Sequence, residues 1–590
     1  MPWIDLRKGS WVVLGALLVG LLWAVVSADR DDWPTFVGDE ATYPMAADSL
    51  ARDFDLIYGK RDYDRFVERW KRTPEGLILL SGDHGAHMTF SKPFFYPTFI
   101  APFVWLAPHK GAQIANVLLL ALAATMSART LRRWIGPSAP LLIAVFVFSS
   151  AAFGYAFWAH ADLFLLSLAA ISLSLVFSDP EGQPTKLGLF KWAIGGALLA
   201  ALAFSRPFYA PLLIPAAFCA PRPRLPRLAS FWAGTLLLIF ASLTVHKTLG
   251  DSWTSYDGQR AAFSDETGYP EVDFPSTEWD AFVYRWGNLA WRTDAIRSGN
   301  RLSVPLWLWN GFYFLAGRHV GVLVYFLPLL LGLAAGPKDS PRWALTVAVV
   351  AAVAGVFYLR PFNFFGGGAA IANRHFLPIY PAFWFLAAGP LKIRWLAVVT
   401  LVSGLFLWPL WIEADEYLLG ADGRSRFVSP IANSALPFET TQRHIGPSGS
   451  EDFQANGLWI RPLGPEVGVA GPESSESLSH APGTMALASE ATAHFLVGSE
   501  ERVGHIVLTI LGSESVVPDI EDAEALSTST DPAQRRFLLR LGPRRAIHPT
   551  WWTWQNAHLY RLDITFRGVS STPVAFSLSP LESKPESSPN

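Results

Sequence analysis

Cysteine is almost absent from this chain, and charged residues are few. Cys219 is the only cysteine among 590 residues, which excludes disulfide bonds within the chain and any cysteine-ligated metal cluster. Charged residues make up 16% of the sequence, whereas a soluble protein carries about 25%. The sequence has no glycine-rich P-loop and no dinucleotide-binding motif, so it gives no sign of a soluble nucleotide site.

Long apolar runs are abundant instead. Hydrophobic residues make up 51% of the chain, and apolar runs near the length of a membrane span recur between Trp11 and Trp411. They predict a polytopic α-helical membrane protein with about eleven spans. Arg7 and Lys8 precede the first run as in a signal peptide, but the poor cleavage site after it indicates a retained anchor. The predicted spans lie near 11–27, 112–128, 139–154, 162–178, 188–204, 208–220, 229–245, 320–335, 343–358, 377–389 and 394–411.

Basic residues are distributed unevenly between the loops, which indicates an orientation in the membrane. With the N-terminus in the cytoplasm, one set of short loops holds the clustered lysine and arginine, as the positive-inside rule requires. The opposite side then receives 28–110, 246–318, 359–376 and everything after 412. The region after the last span is therefore expected outside the cytoplasm. The basic residues on the cytoplasmic side are Arg7, Lys8, Arg129, Arg132, Arg133, Lys186, Arg222, Arg224, Arg227, Lys338, Arg342, Lys392 and Arg394.

A change of composition divides the chain into a membrane domain at 1–412 and a second domain at 413–590. The second domain is rich in Ser, Gly, Pro and Glu, and its short alternating runs between turn residues predict a β-sandwich-like domain with a disordered tail. Tryptophans within 551–554 could form a platform for a sugar, although core packing is the commoner use of such a cluster. The predicted strands lie at 493–497, 505–510, 536–541 and 558–564.

The first outer segment, 28–110, contains two further predicted helices. Tyr63, Phe66 and Trp70 share one helical face with basic residues around it, which suits a helix in the headgroup layer or one that seats the loop. The apolar run at 98–107 is too short to span a membrane, so we expect a re-entrant or interfacial helix there.

Two adjacent carboxylates, Asp39 and Glu40, stand in the first polar segment after the first span. Such a pair at a membrane surface can supply a base for a hydroxyl group or a ligand for a metal ion. The structural alternative is a helix cap, with Asp39 at the N-cap of a helix that starts at Ala41.

Other ionisable residues fall on the same predicted outer side. Asp162 lies at the turn before the fourth span, Arg206 lies between the fifth and sixth spans, and Arg374 and His375 lie within 363–378. Ionisable residues at this depth are uncommon and tend to mark sites. Each has a structural alternative, as a helix cap, a snorkelling side chain or an interfacial anchor. Their convergence on one face favours a functional site.

The order of these motifs resembles the GT-C superfamily of membrane glycosyltransferases, which includes protein O-mannosyltransferases, the aminoarabinose transferase of lipid A and the oligosaccharyltransferases. The resemblance covers roughly residues 1–412 and leaves the C-terminal domain out. The segment 366–378 resembles one in bacterial members related to the aminoarabinose transferase. The other motifs are Gly38-Asp39-Glu40-Ala41-Thr42-Tyr43, Lys92-Pro93-Phe94-Phe95-Tyr96-Pro97 and His160-Ala161-Asp162-Leu163.

The resemblance implies a transferase in the plasma (inner) membrane that takes a sugar from a polyprenyl-phosphate lipid outside the cytoplasm. Its implied partners are the lipid bilayer, the lipid-linked sugar and a glycan, lipid or protein acceptor, with no nucleic acid. The acceptor hydroxyl attacks the anomeric carbon and polyprenyl phosphate leaves, so a carboxylate must take the hydroxyl proton. Asp39 is the expected base and Glu40 the second choice, while Asp162 orients the acceptor or shares the role.

The departing phosphate gains negative charge, and cations beside it favour the transition state. Arg374 is the first candidate for this role, followed by Arg206, Lys92 and His375. The adjacent Asp-Glu pair resembles the O-mannosyltransferase type, which is associated with metal-independent transfer. The three carboxylates named above could also hold a divalent cation, so a metal stays open at this point.

Two other functions compete with the transferase. A transporter or flippase of lipid-linked glycans predicts charges along a path through the span interiors, whereas the charges here cluster at one face. An inactive relative of a glycosyltransferase could act as a scaffold for assembly. Geometry separates these hypotheses, because the transferase requires Asp39, Asp162 and Arg374 to share one site.

Overall fold

The fold is given by a computed structural model that covers most of the chain. Predicted features at 367–368, 551–554 and 581–590 lie outside the described residues. The structure describes residues 6–28, 38–82, 87–179, 182–250, 253–255, 259–263, 268–270, 303–335, 339–366, 372–387, 389, 392–412, 414, 428–442, 454–455, 458–462, 467–469, 485–487, 492–499, 502–511, 517–520, 523–525, 534–541, 546–548, 558–567 and 574–580.

The chain divides into two compact units. The first unit comprises Met1–Ser303, Val322–Arg360 and Ile371–Leu419, and the second comprises Val304–Gly321, Pro361–Ala370 and Gly420–Asn590. A single boundary at 412 is predicted from composition, and the second compact unit also takes in two segments that precede that position. Composition could not indicate this, because those segments are as apolar as the spans around them.

Seventeen described helices of four or more residues serve as landmarks below, numbered in chain order. They are α1 Leu6–Ser27, α2 Asp39–Arg52, α3 Lys60–Trp70, α4 Phe95–Leu106, α5 Gly111–Ile135, α6 Ala139–Phe148, α7 Ala161–Phe177, α8 Lys186–Ser205, α9 Pro215–Cys219, α10 Arg224–Gly250, α11 Val304–Ala316, α12 Val322–Tyr325, α13 Leu329–Ala335, α14 Ser340–Leu359, α15 Pro381–Leu386, α16 Ile393–Ile412 and α17 Pro430–Ala435.

Helices long and apolar enough to cross a bilayer make this a polytopic helical membrane protein. Six such stretches occur among the described residues, fewer than the eleven or so that the sequence predicts. Shorter apolar helices include α4, where a re-entrant or interfacial helix was predicted, and α7. The six stretches are Gly9–Ser27, Gly111–Phe148, Lys186–Ser205, Arg224–Thr248, Ser340–Leu359 and Ile393–Ile412.

The difference in span number has local causes. The stretch Gly111–Phe148 comprises two helices, α5 and α6, which pack against each other on either side of a 3-10 turn and correspond to the two predicted spans 112–128 and 139–154. The predicted span 320–335 is broken into α12 and α13 at Pro328, since proline cannot donate a helical hydrogen bond and disfavours helix before it. The predicted span 377–389 contains only the six residues of α15.

Helices α8 and α10 pack with their backbones in close contact. A Cβ atom added to Gly196 would lie 2.1 Å from the carbonyl oxygen of Phe231, and one added to Gly234 would lie 2.1 Å from that of Ala193. Small residues at facing positions allow membrane helices to approach in this way.

Residues from 28–110 and from 246–318 form a small sheet with helices against it. Strands β1 Ile57–Tyr58, β2 Leu77–Gly82, β3 His87–Phe90 and β4 Gln259–Phe263 pair antiparallel in the order β1-β3-β2-β4. Met45 of α2 and Phe66 of α3 are buried with strand residues in one hydrophobic core. The apolar face of α3 therefore packs inside the protein and seats the loop.

Ion pairs hold α3 against α2. The buried carboxylate of Asp48 on α2 lies 3.3 Å from Arg65 and 3.1 Å from Arg69, both on α3. Arg65 also pairs with Asp53 and, at 2.5 Å, with Asp62. The basic residues of α3 thus help to position α2, the helix that begins with Asp39.

In the second unit the described strands of the C-terminal region form two antiparallel sheets. One has the order β12-β13-β10-β16-β8-β7, and the other has the order β11-β15-β9-β6-β5 with β14 paired to β15. Phe495 of β9 and Phe576 of β16 pack together in one core between the two sheets. These strands are β5 Gln454–Ala455, β6 Leu458–Pro462, β7 Val467–Val469, β8 Met485–Leu487, β9 Thr492–Ser499, β10 His505–Leu511, β11 Val517–Asp519, β12 Ala523–Ala525, β13 Gln534–Arg540, β14 Ala546–His548, β15 His558–Arg567 and β16 Val574–Pro580.

Buried polar groups tie α11 and the turn after it to residues 436–442 within the second unit. The fully buried carboxylate of Glu439 accepts hydrogen bonds from the backbone amides of His319 and Val320 at 2.6 and 3.0 Å. Its other oxygen lies 2.8 Å from Nδ1 of His319. The side-chain amide of Gln442 donates to Oδ1 of Asn310 on α11 at 3.1 Å. These contacts explain why Val304–Gly321 belongs to the second unit.

Candidate active site

Asp39 is the first residue of α2, so its carboxylate stands at the N-terminus of a helix. Gly38 is the N-cap residue and has φ of +63°, a left-handed conformation that glycine adopts without strain. The amide of Gly38 donates to the carbonyl of Glu75 at 2.8 Å, and the hydroxyl of Thr42 donates to the carbonyl of Gly38 at 2.7 Å. Asp39 therefore is not the N-cap of a helix starting at Ala41, and its side chain is available for other contacts.

Three basic side chains from distant parts of the chain converge on Asp39. The ammonium group of Lys92 pairs with Oδ1. Nε2 of His160 lies 2.6 Å from Oδ2, and Nη1 of Arg374 lies 3.3 Å from the same oxygen. The side chain of Asp39 is 19% exposed, so the cluster is largely shielded from solvent.

His160 lies between two aspartates. Its Nδ1 atom is 2.9 Å from Oδ2 of Asp162, which is an ion-pair distance although the two atoms are poorly aligned for a hydrogen bond. The imidazole is 1% exposed and stacks on the indole of Trp158, with centroids 4.1 Å apart. Nη1 of Arg374 also lies 3.2 Å from Nε2. If the imidazole is neutral with its proton on Nδ1, Nε2 can accept a hydrogen bond from Arg374. If it is protonated on both nitrogens, Nε2 donates to Asp39 instead.

Asp162 joins Arg206 to the same cluster. Nη2 of Arg206 lies 2.6 Å from Oδ1 of Asp162, whose side chain is completely buried. Nη1 of Arg206 donates to the hydroxyl of Tyr209 at 3.4 Å, and that hydroxyl donates to the carbonyl of His375 at 2.8 Å. Burial of a carboxylate is tolerated here because an ion pair compensates for the lost hydration.

A buried amide on α5 holds the turn that carries His160. Nδ2 of Asn116 lies within 3.2 Å of the carbonyl oxygen of Trp158 and within 3.4 Å of that of His160. It also donates to the hydroxyl of Tyr96 at 3.0 Å. The ring of Tyr43 packs edge-on against both Tyr96 and His160. Asn116 thereby couples α5 to the position of the imidazole.

The electrostatics of Asp39 favour its ionised form. Burial alone would raise the pKa of the carboxyl group, but the charges of Lys92, His160 and Arg374 outweigh it and hold the pKa well below its ordinary value. Asp39 is therefore a carboxylate at neutral pH. Asp39 pairs with Lys92 and Arg374, and Asp162 pairs with Arg206.

The structure brings together five of the seven residues predicted for the site. They are Asp39, Asp162, Arg374, Arg206 and Lys92. The other two predicted residues are Glu40 and His375.

Glu40 is buried on α2, where consecutive side chains leave the helix about 100° apart. His375 is also buried, and its ring packs edge-on against Phe208, with centroids 5.2 Å apart.

Two residues of the site were not predicted as such. His160 stood within a quoted motif without an assigned role, and its position directly before the first turn of α7 was the only signal. Asn116 gave no signal, because a single polar residue in an apolar span does not reveal its partner.

Metal ligation has little support in the described residues. They contain no group of three or more His, Cys, Asp or Glu side chains arranged to hold a metal ion. The carboxylate oxygens of Asp39 face Lys92, His160 and Arg374, which occupy the directions that a cation would need.

Comparison with known proteins gives two similar solved structures, both of ArnT from Cupriavidus metallidurans. The first, bound to undecaprenyl phosphate, is 15% identical over 65% of this chain and 60% of that chain, with a TM-score of 0.33. The second, in the apo state, is 14% identical over 66% of this chain and 62% of that chain, with a TM-score of 0.34. The chain thus spans about three fifths of the length of these relatives. Neither value assigns a fold or an activity to this chain.

No known protein family matches the sequence. No curated protein matches it either. The function is therefore inferred from the side chains of the site.

Proposed function

We propose that this chain is a glycosyltransferase that moves a sugar from a polyprenyl-phosphate lipid to an acceptor hydroxyl outside the cytoplasm. One observation carries the proposal: Asp39 and Asp162 meet through His160 in a buried cluster that also contains Lys92 and Arg374. A carboxylate beside several cations suits a reaction in which a hydroxyl loses a proton while a phosphate leaves. The common cluster is also what the transferase hypothesis required of these residues.

Lys92 and Arg374 are the proposed ligands of the donor phosphate. Both reach Asp39 from other elements, and both carry charge that a phosphate oxygen can share. Nε of Arg374 is buried and has no hydrogen-bond partner among the described residues, so a guanidinium donor is available to a ligand. Indole–guanidinium contact helps to hold this group, since its carbon lies 5.6 Å from the ring centroid of Trp158.

Asp39 is the proposed base. The acceptor oxygen attacks the anomeric carbon of the donor sugar, and a new glycosidic bond forms as the bond from that carbon to the phosphate oxygen breaks. The electron pair of the broken bond leaves with polyprenyl phosphate, and the proton of the hydroxyl passes to Asp39. Lys92 and Arg374 stabilise the charge that develops on the phosphate. Glu40, buried directly after Asp39 on α2, is second in order for the base.

His160, Asp162 and Arg206 are proposed to position these groups. Asp162 is neutralised by Arg206 and faces Nδ1 of His160, which leaves Nε2 directed at Asp39. Through these contacts, the orientation of Asp39 depends on α7, which carries Asp162, and on Arg206, which follows α8.

The proposal includes the arrangement in the membrane. We place the N-terminus in the cytoplasm, count about eleven spans from the apolar runs, and place the C-terminal β-rich unit outside the plasma (inner) membrane. A glycan, a lipid or a protein can provide the acceptor hydroxyl, and synthesis of a cell-envelope glycan is the proposed context. The sidedness of the basic loops supports this arrangement.

Asp39→Asn tests the proposed base. The substitution keeps the size of the side chain and removes its ability to take a proton. Transfer of sugar from undecaprenyl-phosphate sugars, measured in proteoliposomes, should fall by about a hundredfold or more, the scale of general-base catalysis.

Asp64→Asn is the matched control, because Asp64 is 55% exposed on α3 and pairs with Lys60. It should leave the rate unchanged. Full transfer by Asp39→Asn would contradict the assignment of Asp39 and move the base to Glu40 or Asp162.

A further inference from the structure

Thr42 is a fully buried residue near the start of α2. Its hydroxyl donates to the carbonyl of Gly38 at 2.7 Å and accepts a hydrogen bond from the backbone amide of Ile78 at 3.0 Å. The first bond is common for a helical threonine, because the carbonyl four residues earlier lies within reach. The second joins α2 to β2 across 36 positions of the sequence, so it is a tertiary contact that fixes where α2 begins.

The backbone of Ile78 is shared by the two segments that form the ion pair between Asp39 and Lys92. Its amide donates to Thr42, and its carbonyl accepts a hydrogen bond from the amide of Ser91 at 3.0 Å. Ser91 directly precedes Lys92 in the chain. Thr42 lies on α2, the helix whose first residue is Asp39. One residue of β2 therefore sets the position of the carboxylate segment relative to the ammonium segment.

The segment that carries Lys92 is held by other contacts as well. The hydroxyl of Ser91 donates to the carbonyl of Ser255 at 2.9 Å, and both residues are buried. Strand β2 lies between β3 and β4 in the sheet, so its register is fixed on both sides. Loss of the Thr42 hydroxyl therefore leaves the Lys92 segment in place and allows the start of α2 to shift relative to it.

We propose that Thr42 is a positioning residue of the site, and that its bond to Ile78 places the carboxylate of Asp39 beside Lys92. The inference rests on the proposed function where it treats Asp39 as the base, although the placement itself can be measured without transfer of sugar. Both bonds of Thr42 require a hydroxyl group. Valine has nearly the same shape but leaves the amide of Ile78 without this acceptor, whereas serine keeps the hydroxyl and loses only a methyl group.

Zero-length cross-linking of the purified full-length protein measures the placement of Asp39. A carbodiimide joins a carboxylate to an amine with which it is paired, so the parent should form an amide between Asp39 and Lys92 that mass spectrometry identifies. Thr42→Val should lose most of this product, and Thr42→Ser should keep it. The exposed pair of Lys60 and Asp64 on α3 is the internal control, and its product should be equal in all variants.

Transfer of sugar in proteoliposomes gives the matching kinetic result. A displaced carboxylate should lower the kcat of Thr42→Val by about tenfold or more, because a misplacement of about 1 Å is enough for a loss of this size. Thr42→Ser should recover most of the rate. In the Asp39→Asn background Thr42→Val should lower kcat no further, since its effect passes through the carboxylate that is already absent. A general loss of structure would lower kcat again in that background.

Thr235→Val is the matched control, because Thr235 is a buried threonine of α10 whose hydroxyl donates to the carbonyl of Phe231, four residues earlier, at 3.0 Å. It should behave as the parent in both measurements. An equal yield of the Asp39–Lys92 product from Thr42→Val and the parent would overturn the positioning role. Loss of that product in Thr42→Ser would overturn it too, even if Thr42→Val fails to fold. If the parent transfers no sugar, the proposed function fails, and the cross-link still decides whether Thr42 places Asp39.

Discussion

Asp39 combines two properties that oppose each other, a strongly stabilised charge and a proposed role as base. Three basic side chains hold its pKa well below the ordinary value, and a carboxylate of low pKa is a weak base. Donor binding would resolve this conflict, because a phosphate that attracts Lys92 and Arg374 weakens their ion pairs with Asp39. The donor would then raise the basicity of the group that its own reaction needs.

The pH dependence of transfer tests this relation. A carboxylate with a lowered pKa keeps its charge, and the stabilisation that comes with it, until the pH falls through that lowered value. Lys92→Met removes the strongest of the cations that act on Asp39, so the pKa should rise and the acidic limb of the pH–rate profile should move to higher pH. Each pH–rate profile is normalised to its own maximal rate. Loss of Lys92, a proposed phosphate ligand, is expected to lower the rate at every pH, and normalisation removes this effect.

Lys60→Met is the control for this measurement, since Lys60 is an exposed lysine that pairs with Asp64. Its profile should overlay that of the parent. Coincident acidic limbs for Lys92→Met and the parent would show that Lys92 does not set the ionisation of Asp39.

The sequence predicts the helices that carry the site better than it predicts the contacts between them. Apolar helices such as α8 and α10 are predictable, because hydropathy is a local property of the chain. The four-stranded sheet was not predicted, since β1 has two residues and β4 pairs with β2 from about 180 positions away. Asp39, Lys92 and Arg374 could be named from their motifs, but the contact that joins two motifs through His160 depends on tertiary packing.

Asn116 tests whether α5 positions the imidazole. Asn116→Leu keeps the size of the side chain but removes the donor to the carbonyls of Trp158 and His160. A small displacement of His160 should lower kcat by about ten- to a hundredfold, while the KM for the donor stays within about twofold. Steady-state kinetics in proteoliposomes give both values.

Leu122→Val serves as the control, because Leu122 is 51% exposed on the same helix. It should leave kcat and KM as in the parent. A kcat of Asn116→Leu equal to that of the parent would remove the positioning role of Asn116.

The whole molecule consists of a membrane unit that holds the site and a second unit that the chain enters three times. The β-rich character of residues after 412 could be predicted from alternating runs between turn residues. The inclusion of Val304–Gly321 could not, because the buried contacts of Glu439 with His319 link positions 120 apart. A contact between residues so far apart along the chain produces no periodic pattern in the sequence, so the burial of Glu439 could not be predicted.

As the proposed transferase, this protein breaks the bond between a sugar and polyprenyl phosphate. We would follow both products in proteoliposomes loaded with doubly labelled undecaprenyl-phosphate sugar and a panel of acceptors. We expect one free undecaprenyl phosphate for every sugar that appears on an acceptor, and we expect Asp39→Asn to lose both products. Movement of the intact sugar lipid across the membrane, with no free undecaprenyl phosphate, would contradict the proposed transferase and identify a transporter.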